Sequence, residues 1–449
     1  MGRLFGTDGA RGVANKELTC EIAYKIGKAT AMVLAEGAQG RPQILIGKDT
    51  RISSDMLESA LSAGLCSVGA DVLILGVVPT PAVAYLVKEL GCNAGIMISA
   101  SHNPAEYNGI KLFNHEGYKL PDSVEEEIEA IVLDNAKQPP EIIGEKVGTV
   151  KRVEYAVDDY IKHIVASIDG DLSGMKIALD CANGSASTTA KKLFTALGAD
   201  CIIINAEPDG ININKDCGST HLEQLQKTVV DNDCELGLAF DGDADRMLAV
   251  DADGEQVDGD KIIAICAKHL KECGKLANDT VVVTVMTNMG FHKFCQENGI
   301  KYETTKVGDR YVLENMKEYG HSIGGEQSGH IIFLEHASTG DGQLSGVQLL
   351  NVVKKSGKSI KDLATLMTTY PQVLVNVRVS PEGKAAFDKD EAVQQAIRDA
   401  ETKMNGDGRV LVRMSGTEPL IRVMLEGSDY ALIEKLANEI AEVIKERLS

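Results

Sequence analysis

Apolar and polar residues alternate along the chain in blocks that repeat one α/β unit. The apolar run Gln43–Gly47 predicts a buried strand, and the periodic segment Met56–Val68 predicts the helix that follows it. Gly69–Leu75 then predicts a second strand. The same order returns in Lys176–Ile204 and, in a shorter version, in Val281–Thr304. Strands that alternate with helices in this way predict mainly parallel sheets covered on both faces.

The end of the chain follows a different pattern. Val373–Val379 alternates like a half-buried strand, and the short apolar runs Arg409–Met414 and Ile421–Leu425 predict two strands around a tight loop. The segments Glu391–Met404 and Tyr430–Arg447 have the spacing of amphipathic helices, so this part is expected to be an α+β module. The predicted domains are three related α/β domains, residues 1–150, 151–253 and 254–370, and an α+β domain, residues 371–449.

The composition is typical of a chain with several hydrophobic cores. It has 449 residues, of which 44% are hydrophobic, enough for more than one globular domain. No apolar run approaches the roughly 18 residues of a membrane span, and the N-terminal residues lack a secretion signal pattern. The ten cysteines form no C-x-x-C pair, which favours reduced thiols over zinc or a disulfide framework. We therefore expect a cytoplasmic protein with no membrane partner.

The net charge of −20, from 46 basic and 66 acidic residues, is unevenly distributed. An acidic chain of this kind disfavours binding to nucleic acid. Asp231–Asp260 contains eleven acidic residues and Arg246 as its single basic residue, a net charge of −10. Because half of the charge excess falls in this one segment, the sequence predicts a bound cation there.

One loop within the acidic segment has the residue types of a cation site. Asp241, Asp243 and Asp245 follow a predicted strand, and three carboxylates at alternate positions around a glycine can surround one hard divalent cation. An EF-hand would need glycine and glutamate where this chain has Arg246 and Ala252, so that kind of site is excluded. A magnesium site and a solvated acidic turn are the two remaining interpretations.

A serine-rich loop follows another predicted strand. Ser101 and His102 lie in the segment Ser99–Pro104, directly after the apolar run Gly95–Ile98. Because ligands of open α/β sheets bind at the carboxyl ends of strands, Ser101 is a candidate nucleophile or phosphate carrier. The alternative is an ordinary serine-rich loop.

Two further loops contain groups that suit a sugar phosphate. Glu326, Ser328 and His330, in a glycine-rich loop, offer donors and acceptors for sugar hydroxyls, although a plain glycine turn has the same composition. In Arg413–Pro419, with Arg422 just beyond, guanidinium groups match phosphate oxygens, and hydroxyls and loop amides add donors. A hairpin with a surface salt bridge is the alternative for this loop.

Together with an N-terminal motif, these loops resemble a known enzyme family. The segments similar to motifs of the α-D-phosphohexomutases, in that family's order, are Phe5–Gly12, Ile98–Pro104, Asp241–Arg246, Gly325–His330 and Arg413–Pro419. The similarity is greatest to the bacterial amino-sugar branch of the family. It implies three related α/β domains with mainly parallel sheets and a C-terminal α+β domain around a central cleft, which agrees with the repeats described above.

The resemblance implies a role for each matched position. The implied catalytic residues are Ser101 as a phosphoserine, His102, Lys111, Arg11 and His330. The implied ligands of Mg²⁺ are Asp241, Asp243, Asp245 and a phosphoryl oxygen on Ser101. The implied substrate-binding residues are Glu326, Ser328, Arg413, Ser415, Gly416, Thr417, Arg422 and Arg246. Some relatives carry histidine after Lys-Val-Gly, where this chain has Asp309, so His330 is the candidate for the second acid/base group.

The implied activity is an isomerase that interconverts glucosamine 6-phosphate and glucosamine 1-phosphate. The phosphoserine would convert the sugar phosphate into glucosamine 1,6-bisphosphate, which turns round and returns its other phosphate to Ser101. The product would supply UDP-GlcNAc and peptidoglycan precursors. The alternatives are a phosphomannomutase/phosphoglucomutase of the same superfamily, a non-catalytic sugar-phosphate sensor, and a phosphatase labelled on an aspartate. The sequence leaves the oligomeric state open between a monomer and a homodimer.

Overall fold

The computed structural model describes residues 3–6, 8–37, 40–153, 155–415 and 419–449. The chain divides into two compact units. One comprises Met1–Met286 and Gly299–Leu366, and the other comprises Thr287–Asn298 and Met367–Ser449. Among the described residues, no helix combines the length and the apolar character needed to cross a membrane.

The first α/β domain is built on one mixed sheet, to which the described residues contribute seven strands. Its strands are β1 (Phe5–Gly6), β2 (Gly9–Val13), β3 (Gln43–Lys48), β4 (Asp71–Val77), β5 (Ala94–Ile98), β6 (Tyr107–Asn114) and β7 (Val150–Arg152). Its helices are α1 (Cys20–Leu34), α2 (Ser54–Ser67), α3 (Thr80–Glu89) and α4 (Asp122–Asp134), with a 3₁₀ turn at Gly144–Lys146.

The order of this sheet is β1-β2-β6-β5-β3-β4-β7. The ladders joining β5, β3, β4 and β7 are parallel, and those joining β5, β6, β2 and β1 are antiparallel. Helix α2 packs on the core through Leu57, Leu61 and Leu65, which recur every four residues and are fully buried. Parallel pairing places the ends of β3 and β5 at one edge of the sheet, where the loop containing Ser101 begins.

The second domain repeats the arrangement with five strands among the described residues. Its strands are β8 (Lys176–Asp180), β9 (Asp200–Ile204), β10 (Leu236–Phe240), β11 (Met247–Asp251) and β12 (Gln256–Val257), and its helices are α5 (Ala156–Val165), α6 (Ala190–Ala196) and α7 (Glu223–Asp231). The order is β12-β11-β10-β8-β9, with β8, β9 and β10 parallel. The loop between β10 and β11 contains the three aspartates.

The third domain has a four-stranded sheet within the described ranges. Its strands are β13 (Thr280–Thr284), β14 (Lys301–Thr305), β15 (Ile323–Gly325) and β16 (Ile331–Phe333), in the order β14-β13-β15-β16. Its helices are α8 (Gly259–Glu272), α10 (Asp309–Tyr319), α11 (Gly342–Ser356) and α12 (Ile360–Ala364). Between β13 and β14 the chain forms α9 (Met289–Glu297), which belongs to the second compact unit.

The C-terminal domain is an antiparallel sheet covered by helices. Its strands are β17 (Gln372–Arg378), β18 (Gly408–Met414) and β19 (Leu420–Gly427), in the order β17-β19-β18, and its helices are α13 (Pro381–Ala386), α14 (Glu391–Met404) and α15 (Tyr430–Leu448). Helix α15 packs on this sheet through Ile433, Leu436, Ile440 and Ile444, which are buried in one apolar cluster.

The predicted fold class is confirmed: three α/β domains are followed by a C-terminal domain of different build. The helix expected between β8 and β9 from the repeated pattern is divided into two short helical segments, Ser185–Thr188 and Ala190–Ala196. A 3₁₀ turn at Ser185–Thr188 precedes α6, because Ser187 and Thr188 donate hydrogen bonds from their hydroxyls to backbone carbonyls three residues earlier. The domain boundaries near residues 150, 253 and 370 stay predictions.

Candidate active site

Ser101 lies just beyond the carboxyl end of β5, in the loop that leads to β6. Its φ of 52° is in the left-handed region, which is strained for a residue with a side chain. The side chain is buried, and its Oγ donates a hydrogen bond of 2.6 Å to Asp241 Oδ2. His102 Nδ1 lies 3.4 Å from the same Oγ. Backbone strain at a serine whose hydroxyl contacts a carboxylate is typical of a functional position.

Asp241, Asp243 and Asp245 form a buried carboxylate cluster in the turn between β10 and β11. One oxygen from each lies within 4.8 Å of the others, and no second group of this kind occurs among the described residues. Burial and the neighbouring carboxylates of Asp245 and Asp243 raise the pKa of Asp241 well above its ordinary value. Thr80, the first residue of α3, donates from Oγ1 to Asp243 Oδ2 at 2.5 Å, which joins the cluster to the first domain.

The carboxylate cluster suits a hard divalent cation. In the described part of the chain, Asp243 Oδ1 and Asp245 Oδ1 are buried and have no hydrogen-bond partner. Unpartnered buried polar atoms are rare in folded proteins, because their desolvation is unfavourable. Mg²⁺ binds oxygen ligands, and its positive charge would offset the repulsion between these buried carboxylates. The residues present therefore fit the predicted metal.

Lys111, on β6, neutralises part of the charge of this cluster. Its Nζ lies 2.7 Å from Asp243 Oδ2, and 3.1 Å from a carboxylate oxygen of Asp245 and from one of Asp8. Although burial lowers the pKa of Lys111, the three carboxylates outweigh that effect and raise the pKa well above its ordinary value. Lys111 is therefore an ammonium in this arrangement.

Two arginines add positive charge near Ser101. Arg11 pairs with Asp8. The backbone N–H of Arg246 donates to Asp241 Oδ1 at 3.2 Å, while its buried Nε has no hydrogen-bond partner within the described residues. Burial, Arg246 and Arg11 lower the pKa of His102 to about 4, so its imidazole is neutral at pH 7. Arg246 Nε lies 3.9 Å from Asp245 Oδ1, so the Arg246 guanidinium is placed beside the carboxylate cluster, where an anion would meet a positive charge.

His330 and Asp309 lie together in the third domain. His330 is 2% exposed, and its Nε2 is 3.4 Å from Asp309 Oδ2. Asp309 also pairs with Lys119, whose Nζ lies 2.5 Å from Asp8 Oδ1. Lys119 lies in the first domain and is 111 residues from Asp8 and 190 residues from Asp309 in the sequence. Its pair with Asp309 therefore links the first domain to the third. Asp8 and Lys119 have no predicted role in the site, because no local pattern along the chain reveals pairs at such separations.

Glu326 and Ser328 lie in the hairpin between β15 and β16. Glu326 is half-buried and accepts a hydrogen bond from the Gly308 N–H at 3.2 Å, and Ser328 is exposed. The Met247 N–H donates to the Gly329 carbonyl at 3.1 Å, so this hairpin contacts the strand that follows the aspartates. The predicted hydroxyl-binding loop and the carboxylate cluster are therefore neighbours.

The second compact unit contains the predicted phosphate-binding residues. Arg413 on β18 pairs directly with Arg422 on β19, and cross-strand partners point to the same face of a sheet. Burial and the charge of Arg422 lower the pKa of Arg413. Like charges held opposite each other are unfavourable unless an anion offsets them. Ser415 follows β18 and is buried, whereas Gly416 and Thr417 lie outside the described residues.

Family models match all four domains of the chain. They are described as phosphoglucomutase/phosphomannomutase alpha/beta/alpha domain I over residues 2–139, domain II over 158–254, domain III over 258–370, and the C-terminal domain over 374–443. The chain is also 58% identical over 448 residues to the phosphoglucosamine mutase of Acetivibrio thermocellus, with 100% of both chains covered. The chain belongs to the phosphoglucosamine mutase family.

A second relative supports this family assignment. The chain is 54% identical over 447 residues to the phosphoglucosamine mutase of Clostridium novyi, covering 100% of this chain and 99% of the other. The mutase is therefore an isomerase, and the alternative of a non-catalytic sensor is wrong.

Solved structures share the fold of the mutase. A phosphoglucomutase/phosphomannomutase family protein from Burkholderia thailandensis superposes with a TM-score of 0.82 at 24% identity, covering 99% of this chain and 97% of the other. An N-acetylphosphoglucosamine mutase from Aspergillus fumigatus, in complex with GlcNAc-6P and magnesium, gives a TM-score of 0.68 at 17% identity, covering 99% and 96%. Identities this low establish the fold alone.

Proposed function

We propose that this mutase interconverts glucosamine 6-phosphate and glucosamine 1-phosphate through a phosphoserine at Ser101. The observation that carries the proposal is the 2.6 Å hydrogen bond from Ser101 Oγ to Asp241, one member of the buried carboxylate cluster. A hydroxyl beside a cation site is suited to carry a phosphoryl group between the two ends of a sugar. The amino sugar is supported by the relatives, which are phosphoglucosamine mutases.

Each half of the proposed cycle moves one phosphoryl group. In the first half, the bond from Ser101 Oγ to phosphorus breaks, and a bond forms between phosphorus and the free hydroxyl oxygen of the sugar phosphate. The products are glucosamine 1,6-bisphosphate and the serine hydroxyl, and the serine oxygen receives the proton that the sugar hydroxyl releases. In the second half, Ser101 Oγ attacks the other phosphate, and its proton passes to the sugar oxygen. The cycle regenerates the phosphoserine and consumes nothing, so a separate phosphoryl donor is needed only to load Ser101 initially.

We assign Mg²⁺ to the carboxylate cluster of Asp241, Asp243 and Asp245, with a phosphoryl oxygen on Ser101 as a further ligand. The unpartnered oxygens of Asp243 and Asp245 support this assignment, as does the magnesium in the Aspergillus relative. When bound, the cation supplies positive charge that stabilises the transferring phosphoryl group and offsets the carboxylates that keep Lys111 protonated.

Lys111 and His330 are the proposed proton-transfer groups. Both are buried and lie beside carboxylates: Lys111 Nζ is 2.7 Å from Asp243 Oδ2, and His330 Nε2 is 3.4 Å from Asp309 Oδ2. A positioned acid or base typically contributes about 10²–10⁴-fold to a rate. Arg11, Arg246 and the neutral His102 surround the phosphoryl group in this scheme and orient it.

The non-reacting phosphate and the sugar hydroxyls have separate proposed partners. Arg413, Ser415 and Arg422, with Gly416 and Thr417 next to Ser415 in the sequence, would bind the phosphate. Glu326 and Ser328 would bind hydroxyls. The opposed guanidinium groups of Arg413 and Arg422 support this assignment, since a dianion between them removes their repulsion.

The substitution Arg422→Ala tests the phosphate assignment. We expect KM for glucosamine 6-phosphate to rise about 10- to 100-fold, because a hydrogen bond to a charged group contributes roughly 1.5–3 kcal/mol. The turnover number should change less, because this phosphate is bound in the ground state and in the transition state alike. The matched control is Arg398→Ala, an exposed arginine on α14 paired with Glu391. An unchanged KM in Arg422→Ala contradicts the assignment.

A comparison of substrates tests the proposed activity itself. Coupled assays should give a kcat/KM for glucosamine 6-phosphate at least about tenfold above the values for glucose 6-phosphate and mannose 6-phosphate. A factor of this size is typical when an enzyme distinguishes substrates by one chemical group, here the amino group. Faster conversion of glucose or mannose phosphates would instead identify a phosphoglucomutase/phosphomannomutase.

A further inference from the structure

A second set of buried side chains binds the backbone of the Ser101 loop. Arg51 Nη2 donates hydrogen bonds to the carbonyl of Ser101 at 2.9 Å and to that of Asn103 at 2.8 Å. Asn214 Nδ2 donates to the same two carbonyls at 2.9 and 3.2 Å. Arg51 comes from the first domain and Asn214 from the second, so donors from two domains share one pair of acceptors. We call Arg51 and Asn214 the carbonyl clamp.

A charged network in the first domain supports the carbonyl clamp. Arg51 Nε donates to Asp49 Oδ2 at 2.8 Å, and both side chains are fully buried. Ser99 Oγ donates to the same carboxylate at 2.7 Å and accepts the N–H of Ser101 at 3.0 Å. Both backbone polar groups of Ser101 are therefore held by side chains.

The carbonyl clamp explains how Ser101 keeps its left-handed backbone. A serine with a φ of 52° moves to a commoner conformation unless surrounding contacts hold it. Such a change would rotate the Cα–Cβ bond and carry Oγ away from Asp241. The four hydrogen bonds of the clamp oppose that rotation.

The same carbonyl packs against the loop of the carboxylate cluster. A Cβ atom at Gly242 would lie 2.6 Å from the Ser101 carbonyl oxygen and 2.8 Å from Asn214 Nδ2, too close for any side chain. Gly242 stands between Asp241 and Asp243, so the clamped carbonyl touches the backbone that positions both carboxylates. The position of Ser101 relative to the cluster thus depends on a contact between the two domains.

We propose that Asn214, acting with Arg51, is a positioning residue for phosphoryl transfer, which holds Ser101 Oγ at its place beside the carboxylate cluster. The inference rests on the proposed role of Ser101 as the phosphate carrier. Asn214 touches neither the phosphoryl group nor the aspartate side chains in this scheme. It acts through the backbone of Ser101.

The test is the substitution Asn214→Ala in the full-length enzyme. Glucose 1,6-bisphosphate serves as the phosphoryl donor, and rapid quenching with intact-mass spectrometry follows phosphate appearing on Ser101. The rate should fall about 100-fold, the loss expected when a reacting group is misplaced by about 1 Å. KM for glucosamine 6-phosphate and the dissociation constant of the unphosphorylated enzyme for Mn²⁺ should stay within about threefold of wild type, because the three aspartates and the phosphate-binding arginines are untouched.

Two further variants separate positioning from folding. Asn214→Asp keeps the side-chain shape but removes the amide donor, and should be as slow as Asn214→Ala. Asn212→Ala is the matched control, since Asn212 lies in the same loop and donates to the Glu207 carbonyl at 3.0 Å, away from Ser101. It should be phosphorylated at the wild-type rate. If Asn214→Ala does not fold, Asn214→Asp decides the matter by the same measurements.

Three results would overturn the inference. Phosphorylation of both Asn214 variants at the wild-type rate would show that the clamp does not position Ser101. Equal losses of rate and melting temperature in Asn212→Ala and Asn214→Ala would show a general effect on folding. A wild-type enzyme that gains no phosphate on Ser101 would overturn this inference and the proposed phosphoserine mechanism together.

Discussion

Ser101→Ala is expected to abolish turnover of glucosamine 6-phosphate, with kcat falling on the order of 10⁴–10⁶-fold, as when a covalent catalytic group is removed from other enzymes. Alanine has no oxygen to carry the phosphoryl group, and the carboxylate cluster, Lys111 and the arginines cannot replace it. The substitution removes one atom and leaves a cavity too small to unfold the chain. KM should therefore change much less than kcat.

The measurement combines a coupled assay with intact-mass spectrometry. Wild-type enzyme incubated with a sugar 1,6-bisphosphate should gain the mass of one phosphate, and Ser101→Ala should gain none. Ser62→Ala is the matched control, because Ser62 is a buried serine on α2 of the same domain. Near-normal activity in Ser101→Ala would rule out the phosphoserine mechanism.

Chelation of divalent cations is expected to reduce turnover about 10³-fold or more, and added Mg²⁺ should restore it. A phosphoserine carries a charge of about −1.5 to −2 at pH 7. At Ser101 it would face Asp241, Asp243 and Asp245, whose charge Lys111 only partly offsets. A bound cation removes several kcal/mol of that repulsion, which corresponds to a rate factor of this size.

Single substitutions locate the cation. Asp243→Asn should need a much higher Mg²⁺ concentration for half-maximal rate, because it removes one of the three carboxylates. Asp253→Asn makes the same change of charge in the same acidic segment, but Asp253 is an exposed residue paired with Lys361. It should behave like wild type. A full rate in excess EDTA, or equal Mg²⁺ dependence in both variants, would contradict the assignment to the cluster.

The acidic segment shows how far local pattern can reach. Eleven acidic residues between Asp231 and Asp260 predict a cation, but they do not say which of them bind it. In the structure three converge, and others have separate partners: buried Asp251 accepts N–H groups of Asp253 and Glu255, and Asp258 caps α8. The spacing of Asp241, Asp243 and Asp245 at every second position selected these three as candidate ligands, because such spacing can be recognised in the sequence alone.

The contacts around Ser101 show what local pattern leaves out. The motif identified the serine, but its left-handed φ, the carbonyl clamp of Arg51 and Asn214, and the link from Lys119 to Asp309 have no local signal. Asn214 is 113 residues from Ser101, and Lys119 is 190 residues from Asp309. Such pairs form only when separate domains come together.

The sequence by itself determined the order of strands and helices, the three α/β domains and the terminal domain, and the loops that hold the candidate site residues. These follow from periodicity and residue type, which are properties of neighbours along the chain. Only the tertiary structure decided which carboxylate oxygens lack a hydrogen-bond partner, why the pKa of Lys111 is raised, and how Ser101 is held against the cluster. Burial, pKa and backbone strain depend on neighbours in space, and folding brings those neighbours from distant parts of the chain.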